Sequence, residues 1–303
     1  MFALLLACIP PAEDSASPAE VVPWHTPPET FINDAARVVA IGDVHGDVDA
    51  LTLALKLAEV VDDEGNWSGG ESVVVQVGDQ LDRADEEERI LEVLLHLGEQ
   101  AHDAGGAVYP LNGNHEVMNV QLDLRYVTDG GFADFADTPY DQDAPWVAQY
   151  LPGQRGRVSA FRPGGEWAMA LAGQNTVMVV GNTVFVHGGV LPVNVEYGIE
   201  RINGEIQDWM RGEGKEPNYL DGDDSMVWSR DYSEDVTPET CAMLEGVLDA
   251  LHAERMVVGH TRFSSIGSNC DEQVWYVDVA MSSYYGGDAQ VLVIEDGELR
   301  VIQ

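Results

Sequence analysis

Basic residues are scarce in this chain. Of 303 residues only 15 are Lys or Arg, against 53 Asp or Glu, which gives a formal charge of -38. A surface of that sign repels nucleic acid and acidic membranes, so nucleic acid is excluded as a partner. The self-repulsion is softened where salt screens charges over roughly 8 Å or less. Lysine is nearly missing: only Lys56 and Lys215 occur, so any anion site must lean on arginine, whose planar fork grips phosphate oxygens in pairs. Apolar runs are all too short to cross a bilayer, which takes about 20 residues. With three cysteines, Cys8, Cys241 and Cys270, the chain is no disulfide-dense scaffold. What it does have is 45% hydrophobic residues, enough to fill the core of one large α/β domain or two smaller ones.

The N-terminal MFALLLAC ends in Leu5, Leu6, Ala7 and Cys8, similar to a bacterial lipobox. Residues 1–7 are therefore expected to be a truncated lipoprotein signal with Cys8 as the lipidated residue, although the positive flank of such signals is missing. Residues 8–33, proline-rich and acidic in PPAEDSASPAE, have the composition of a disordered tether. The expectation is a cell-envelope location, lipid-anchored or otherwise outside the cytoplasm, with a cytoplasmic one as the alternative. In an oxidising compartment Cys241 and Cys270 are an even pair that can form a disulfide; in the cytosol they would be two buried thiols.

Strand-length apolar runs rich in β-branched residues recur from 38 (VVAI), 72 (SVVVQV), 107 (AVYPL), 177 (VMVV), 183 (TVFV), 255 (RMVV), 274 (VWYVDV) and 289 (AQVLVI). Each is bounded by glycine or a polar turn. Between the first of them lie stretches with apolar residues at helical spacing, from 49 (DALTLALKLAEVV) and from 85 (DEEERILEVLLHLGEQAHDAG). Such alternation predicts an α/β domain over 34–303, largely parallel at first, with a second, hairpin-containing sheet from the C-terminal strands. From about 120 to 172 the pattern becomes aromatic and glycine-broken, predicting a helical insertion that walls or lids a site.

Five strand-like runs are followed at once by residues able to bind metals: GDVHG at 42, GDQLDR at 78, GNHE at 113, HGG at 187 and GH at 259. The C-terminal edge of an open α/β sheet is where ligands bind. Phosphoester hydrolysis needs charge neutralised on the phosphoryl oxygens and a hydroxide at neutral pH. Two divalent ions about 3.5–4 Å apart and bridged by a carboxylate supply both. Mixed Asp, Asn and His donors suit manganese, iron or zinc better than calcium. His25, His96, His102 and His252 have no such strand-end setting and are expected to be ordinary surface or packing histidines.

GDVHG, GDQLDR, GNHE, VHGG and VGHT in this order resemble the calcineurin-like metallophosphoesterases, and the Asp-Arg pair resembles their phosphoprotein-phosphatase branch. The resemblance implies a layered β-sandwich flanked by helices and a protein phosphatase, or another phosphomonoester hydrolase, in which a metal-bridging hydroxide attacks phosphorus directly. It also implies a ligand set: Asp43, His45 and Asp79 for one metal, and Asp79, Asn114, His187 and His260 for the other. His115 would protonate the leaving oxygen with Asp82 orienting it. Arg83, Asn114 and Arg230 would hold the phosphoryl group, Arg230 having a surface salt bridge to Asp231 or Asp224 as its ordinary alternative.

At finer grain, GDVHGD, AFRPGGEWA, LAGQNTVMVVGNTVFVHGG and RMVVGHT are similar to the Shewanella-like phosphatases, a group that includes enzymes preferring phosphotyrosine. The chain departs from the common Asp-Arg-Gly at Ala84, and carries MSSYYGG from 281 where eukaryotic relatives have a different loop. Phosphorylated proteins or small phosphomonoesters are the implied partners. The rival within enzymes is a dinucleoside polyphosphate or other nucleotide hydrolase, which the acidic charge disfavours. An inactive adaptor would leave His115, Asp82 and both arginines without a purpose. Oligomeric state is not encoded in any of these signals.

Overall fold

The computed structural model describes residues 27–33 and 35–303. The signal expected over 1–7, most of the tether and Cys8 lie outside the described residues. Eleven strands are described: β1 (Phe31–Ile32), β2 (Arg37–Ile41), β3 (Val73–Gln76), β4 (Ala107–Pro110), β5 (Val177–Val180), β6 (Thr183–Val186), β7 (Arg255–Val258), β8 (Gly267–Asn269), β9 (Val274–Tyr276), β10 (Val291–Glu295) and β11 (Glu298–Ile302). They form two mixed sheets, ordered β11-β10-β2-β3-β4 and β1-β5-β6-β7-β9-β8. The described helices are α1 (Val48–Leu57), α2 (Glu87–Asp103), α3 (Asn114–Val120), α4 (Asp129–Asp134), α5 (Arg155–Phe161), α6 (Glu166–Leu171), α7 (Pro192–Tyr197), α8 (Ile199–Met210) and α9 (Pro238–Leu251).

The second sheet explains why these strands are apolar on both faces. Side chains of a strand alternate between faces. Met178, Val180, Phe185 and Val257 join the core made with the first sheet, α1 and α2. Their neighbours Val177, Val179, Val184, Val186, Met256 and Val258 join a second core with residues of α5, α6, α8 and α9. The result is the sandwich of two sheets with helices outside.

Two expectations need correction. The hairpin β10–β11 belongs to the first sheet, not the second: β10 pairs antiparallel with β2, Val293 opposite Val39. It covers the β2 edge of the parallel β2-β3-β4 set, so that β2 lies between two strands. The domain also begins before residue 34, because β1 pairs in parallel with β5, and the Thr30 carbonyl accepts the Val179 N–H at 2.8 Å. Phe31 and Ile32 therefore complete a sheet edge instead of ending a tether.

The stretch 120–172 carries α4, α5 and α6, joined by irregular segments. Phe135, Phe161 and Trp167 are buried in the second core. Cys241 of α9 and Cys270 beyond β8 are joined in a disulfide. Among the described residues no helix is long and apolar enough to cross a membrane.

Candidate active site

Strands β2, β3 and β4 run parallel to one another, and β6 runs parallel to β7 in the other sheet. Asp43 and His45 follow β2, Asp79 follows β3, Asn114 follows β4, His187 follows β6 and His260 follows β7. The two sheets thus deliver all six side chains to one place. The turns that do so are unusual: His45, Asp79, Asp82, Arg83 and His260 have φ of 45°, 57°, 66°, 77° and 65°, a left-handed region that is unfavourable for residues other than glycine. Hydrogen bonds hold them there, among them His45 N–H to Asp79 O at 3.0 Å. Gly113 allows a close approach, since a Cβ on it would meet Asp79 Oδ1 at 2.4 Å.

Asp79 is at the centre. Its Oδ1 lies 3.2 Å from His187 Nε2, and its Oδ2 lies 3.7 Å from His45 Nε2 and 3.8 Å from His115 Nε2. His187 Nε2 is also 2.9 Å from Asn114 Oδ1. Asp43 Oδ2 is 3.9 Å from His45 Nε2, and both Asp43 oxygens stand 3.3 Å from the His260 backbone N–H. Two sets of donors lie within 4.8 Å of one another: His45, Asp79 and His115, and Asp79, His187 and His260. Asp79 is common to both.

The orientation of the rings suits a cation. His45 Nδ1 faces the Leu81 carbonyl at 3.1 Å and His187 Nδ1 faces the Val77 carbonyl at 2.9 Å. An Nδ1–H donated to each carbonyl turns the Nε2 lone pair toward the acidic centre. Among the described residues His260 Nε2 is buried with no hydrogen-bond partner. Burial lowers the His45 imidazole to about 4 and that of His260 to about 2, so both are neutral and able to ligate. The carboxyl of Asp43 is raised by burial and then by Asp278 and Asp79. Burial also works against charge on Asp79, but the imidazoles of His187 and His115 outweigh it and hold that carboxyl well below the usual range. Buried carboxylates crowded against imidazole nitrogens are the donor set of a divalent-metal site.

Beside this centre, His115 Nδ1 is 2.6 Å from Asp82 Oδ2. Arg83 is packed differently from an ordinary surface arginine. Its guanidinium lies 3.8 Å from the ring centre of Tyr126 and 5.4 Å from that of Tyr284, and among the described residues no carboxylate lies within 4.0 Å of it. Arg230 reaches Thr261 Oγ1 at 2.8 Å and the His260 carbonyl at 3.3 Å. Its ion pair is with Glu234, at 3.5 Å, instead of Asp231 or Asp224. His96, His102 and His252 are exposed; His25 lies outside the described residues.

Residues 36–261 match the sequence pattern of the calcineurin-like phosphoesterases. The chain belongs to this family. Within the calcineurin-like phosphoesterases it is 39% identical over 287 residues to Shewanella-like protein phosphatase 2 of Arabidopsis thaliana, covering 84% of this chain and 73% of the relative. Shewanella-like protein phosphatase 1 of Plasmodium berghei is 29% identical, with 88% and 74% covered. The crystal structure of a cold-active protein-tyrosine phosphatase from a Shewanella species superposes with a TM-score of 0.72 at 26% identity, covering 92% of this chain and 84% of that one. The chain is a metal-dependent phosphatase of the Shewanella-like protein phosphatase group.

Several residues of this calcineurin-like phosphoesterase site were not singled out from the sequence. Glu116 binds the backbone of the Asp79 turn through both carboxylate oxygens; its place inside GNHE was the available signal. Asp278, buried after β9, is raised by burial to about 6. Among the described residues its Oδ2 has no hydrogen-bond partner. Tyr126 and Arg157 come from the insertion, where no motif marks them.

Proposed function

We propose that this phosphatase hydrolyses phosphomonoesters of proteins, with phosphotyrosine preferred over phosphoserine and phosphothreonine. The observation that carries the reaction is the placement of Asp79 between two imidazole-rich donor sets, with the His115–Asp82 pair next to it. Asp43, His45 and Asp79 would hold one divalent ion, and Asp79, Asn114, His187 and His260 the other; manganese, iron and zinc all match such donors. Bound there, two ions would neutralise the phosphoryl oxygens and lower the pKa of the attacking water.

The protein's own residues do the rest. Arg83 and Arg230 orient the phosphoryl group by paired hydrogen bonds. His115, held by Asp82, delivers a proton to the leaving oxygen through Nε2, the nitrogen facing Asp79. The preference for a phenolic ester is supported by the aromatic surroundings of Arg83, Tyr126 and exposed Tyr284, and by the likeness to the Shewanella protein-tyrosine phosphatase. A site outside the cytoplasm is supported by the Cys241–Cys270 disulfide, and Cys8 would be its lipid anchor.

The test compares phosphotyrosine and phosphoserine peptides of matched sequence with manganese-loaded protein. A kcat/KM at least about tenfold higher for phosphotyrosine, about 1.4 kcal/mol in transition-state binding, supports the preference. Equal values would reject it.

A further inference from the structure

Arg157 of α5 has no exposed surface, and neither do Glu87 or Asp82. A guanidinium has five N–H donors in a fixed plane, and at Arg157 each has an acceptor. Nε donates to Asn119 Oδ1 at 2.9 Å. Nη1 donates to Glu87 Oε1 and to the Gly131 carbonyl, both at 2.9 Å. Nη2 donates to Glu87 Oε2 at 2.5 Å and to Asp82 Oδ1 at 3.2 Å.

The Asp82 carboxylate is thereby divided between two tasks. Oδ1 is taken by Arg157 and by Asn119 Nδ2 at 3.1 Å, leaving Oδ2 for His115. Asn119 Nδ2 also donates to the His115 carbonyl at 2.9 Å, fixing the backbone of the same residue. Burying an ion pair costs so much desolvation that an apolar packing of equal volume is often as stable. The stability of the fold alone is thus a poor explanation for a charged group placed here.

We propose that Arg157 is a positioning residue for His115: by spanning Asp82 and Glu87 it fixes the Asp82 carboxylate, and so ties the orientation of the His115 imidazole to the packing of the insertion. The tie runs through Gly131 of α4, whose carbonyl is one of the five acceptors. A Cβ at Gly131 would meet Glu87 Oε1 at 2.3 Å. Movement of α4 or α5 is therefore felt at Asp82 through the Arg157 guanidinium. The proposal rests on His115 being the leaving-group acid.

The experiment measures kcat/KM over a series of aryl phosphates for the full protein and for Arg157→Lys, Gly131→Ala and His115→Asn. It is paired with proton NMR of the chelated protein to follow the downfield Nδ1–H of His115. Lysine keeps the charge but cannot span both carboxylates. The expected result is that Arg157→Lys loses about tenfold or more on phenyl phosphate, whose leaving group needs the proton, and less than about threefold on 2,4-dinitrophenyl phosphate. The Nδ1–H resonance is displaced, and no further steepening occurs when His115→Asn is already present. Gly131→Ala shifts the series in the same direction.

Equal losses on both esters with the resonance unmoved would overturn the proposal. So would unfolding of both Arg157→Lys and the charge-neutral double variant Arg157→Met with Glu87→Gln, which would mark a support of the fold. An unchanged leaving-group dependence in His115→Asn would instead overturn the acid assignment beneath it, leaving metal-dependent hydrolysis itself untouched.

Discussion

Glu116 holds Asp79 in place through the backbone: its Oε2 accepts the N–H of Asp79 at 2.8 Å and that of Gly113 at 2.7 Å. Its Oε1 accepts the N–H groups of Gln80 at 2.9 Å and Leu81 at 3.1 Å. One buried carboxylate thus ties the turn after β3 to the start of α3, and fixes a residue with positive φ at the centre of the site. Glu116→Gln replaces one oxygen by an amide donor and leaves two buried N–H groups without an acceptor, at roughly 1–3 kcal/mol each. Urea unfolding of the chelated variant is expected to show a loss of about 2 kcal/mol or more, with a weaker metal affinity. An unchanged midpoint would mean that the turn holds itself.

Tyr126 sets the position of Arg83. Face-on packing of a guanidinium and a tyrosine ring contributes about 0.5–2 kcal/mol, so Tyr126→Ala should raise KM for aryl phosphates by about 2- to 30-fold. Tyr126→Phe should change it little. If alanine and phenylalanine behave alike, Arg83 is placed by something other than the ring.

The Cys241–Cys270 bond closes a segment of 29 residues between α9 and the end of β8. Cross-links over such distances typically stabilise by roughly 2–4 kcal/mol. The double variant Cys241→Ser, Cys270→Ser should melt several degrees lower than the oxidised protein, and reductant should lower the melting temperature of the wild type but not of the variant. A melting temperature insensitive to reductant would show that the two sulfurs are not bonded in solution.

Much of the sandwich was legible because the driving forces are local. The β-branched runs VVAI, SVVVQV and TVFV mark their own strands, and the Asp and His side chains of the cluster follow them at once, so the strand ends also mark the site. The hairpin β10–β11 was misplaced because its sequence shows two paired strands but says nothing of which edge they complete; that choice is made by the unpaired side of β2. Phe31–Ile32 was missed for a related reason, as two residues are too few to show a period. Arg157 and Tyr126 were silent for a third: each acts across more than 40 residues of sequence, Arg157 on Asp82 and Tyr126 on Arg83, and neither sits in a motif. Such partners are fixed by how the insertion packs, which no short window of sequence encodes.

The central claim is that the Asp79-centred cluster, loaded with two divalent ions, hydrolyses phosphomonoesters. Its most direct test is the turnover of p-nitrophenyl phosphate by chelator-stripped protein as manganese is titrated back, with bound metal counted in the same samples, for the wild type and Asp79→Asn. The account predicts no turnover in the stripped protein, recovery as two ions bind per chain, and loss of both binding and rate in Asp79→Asn. Full turnover without metal, or two ions bound by folded wild-type protein with no hydrolysis, would contradict it.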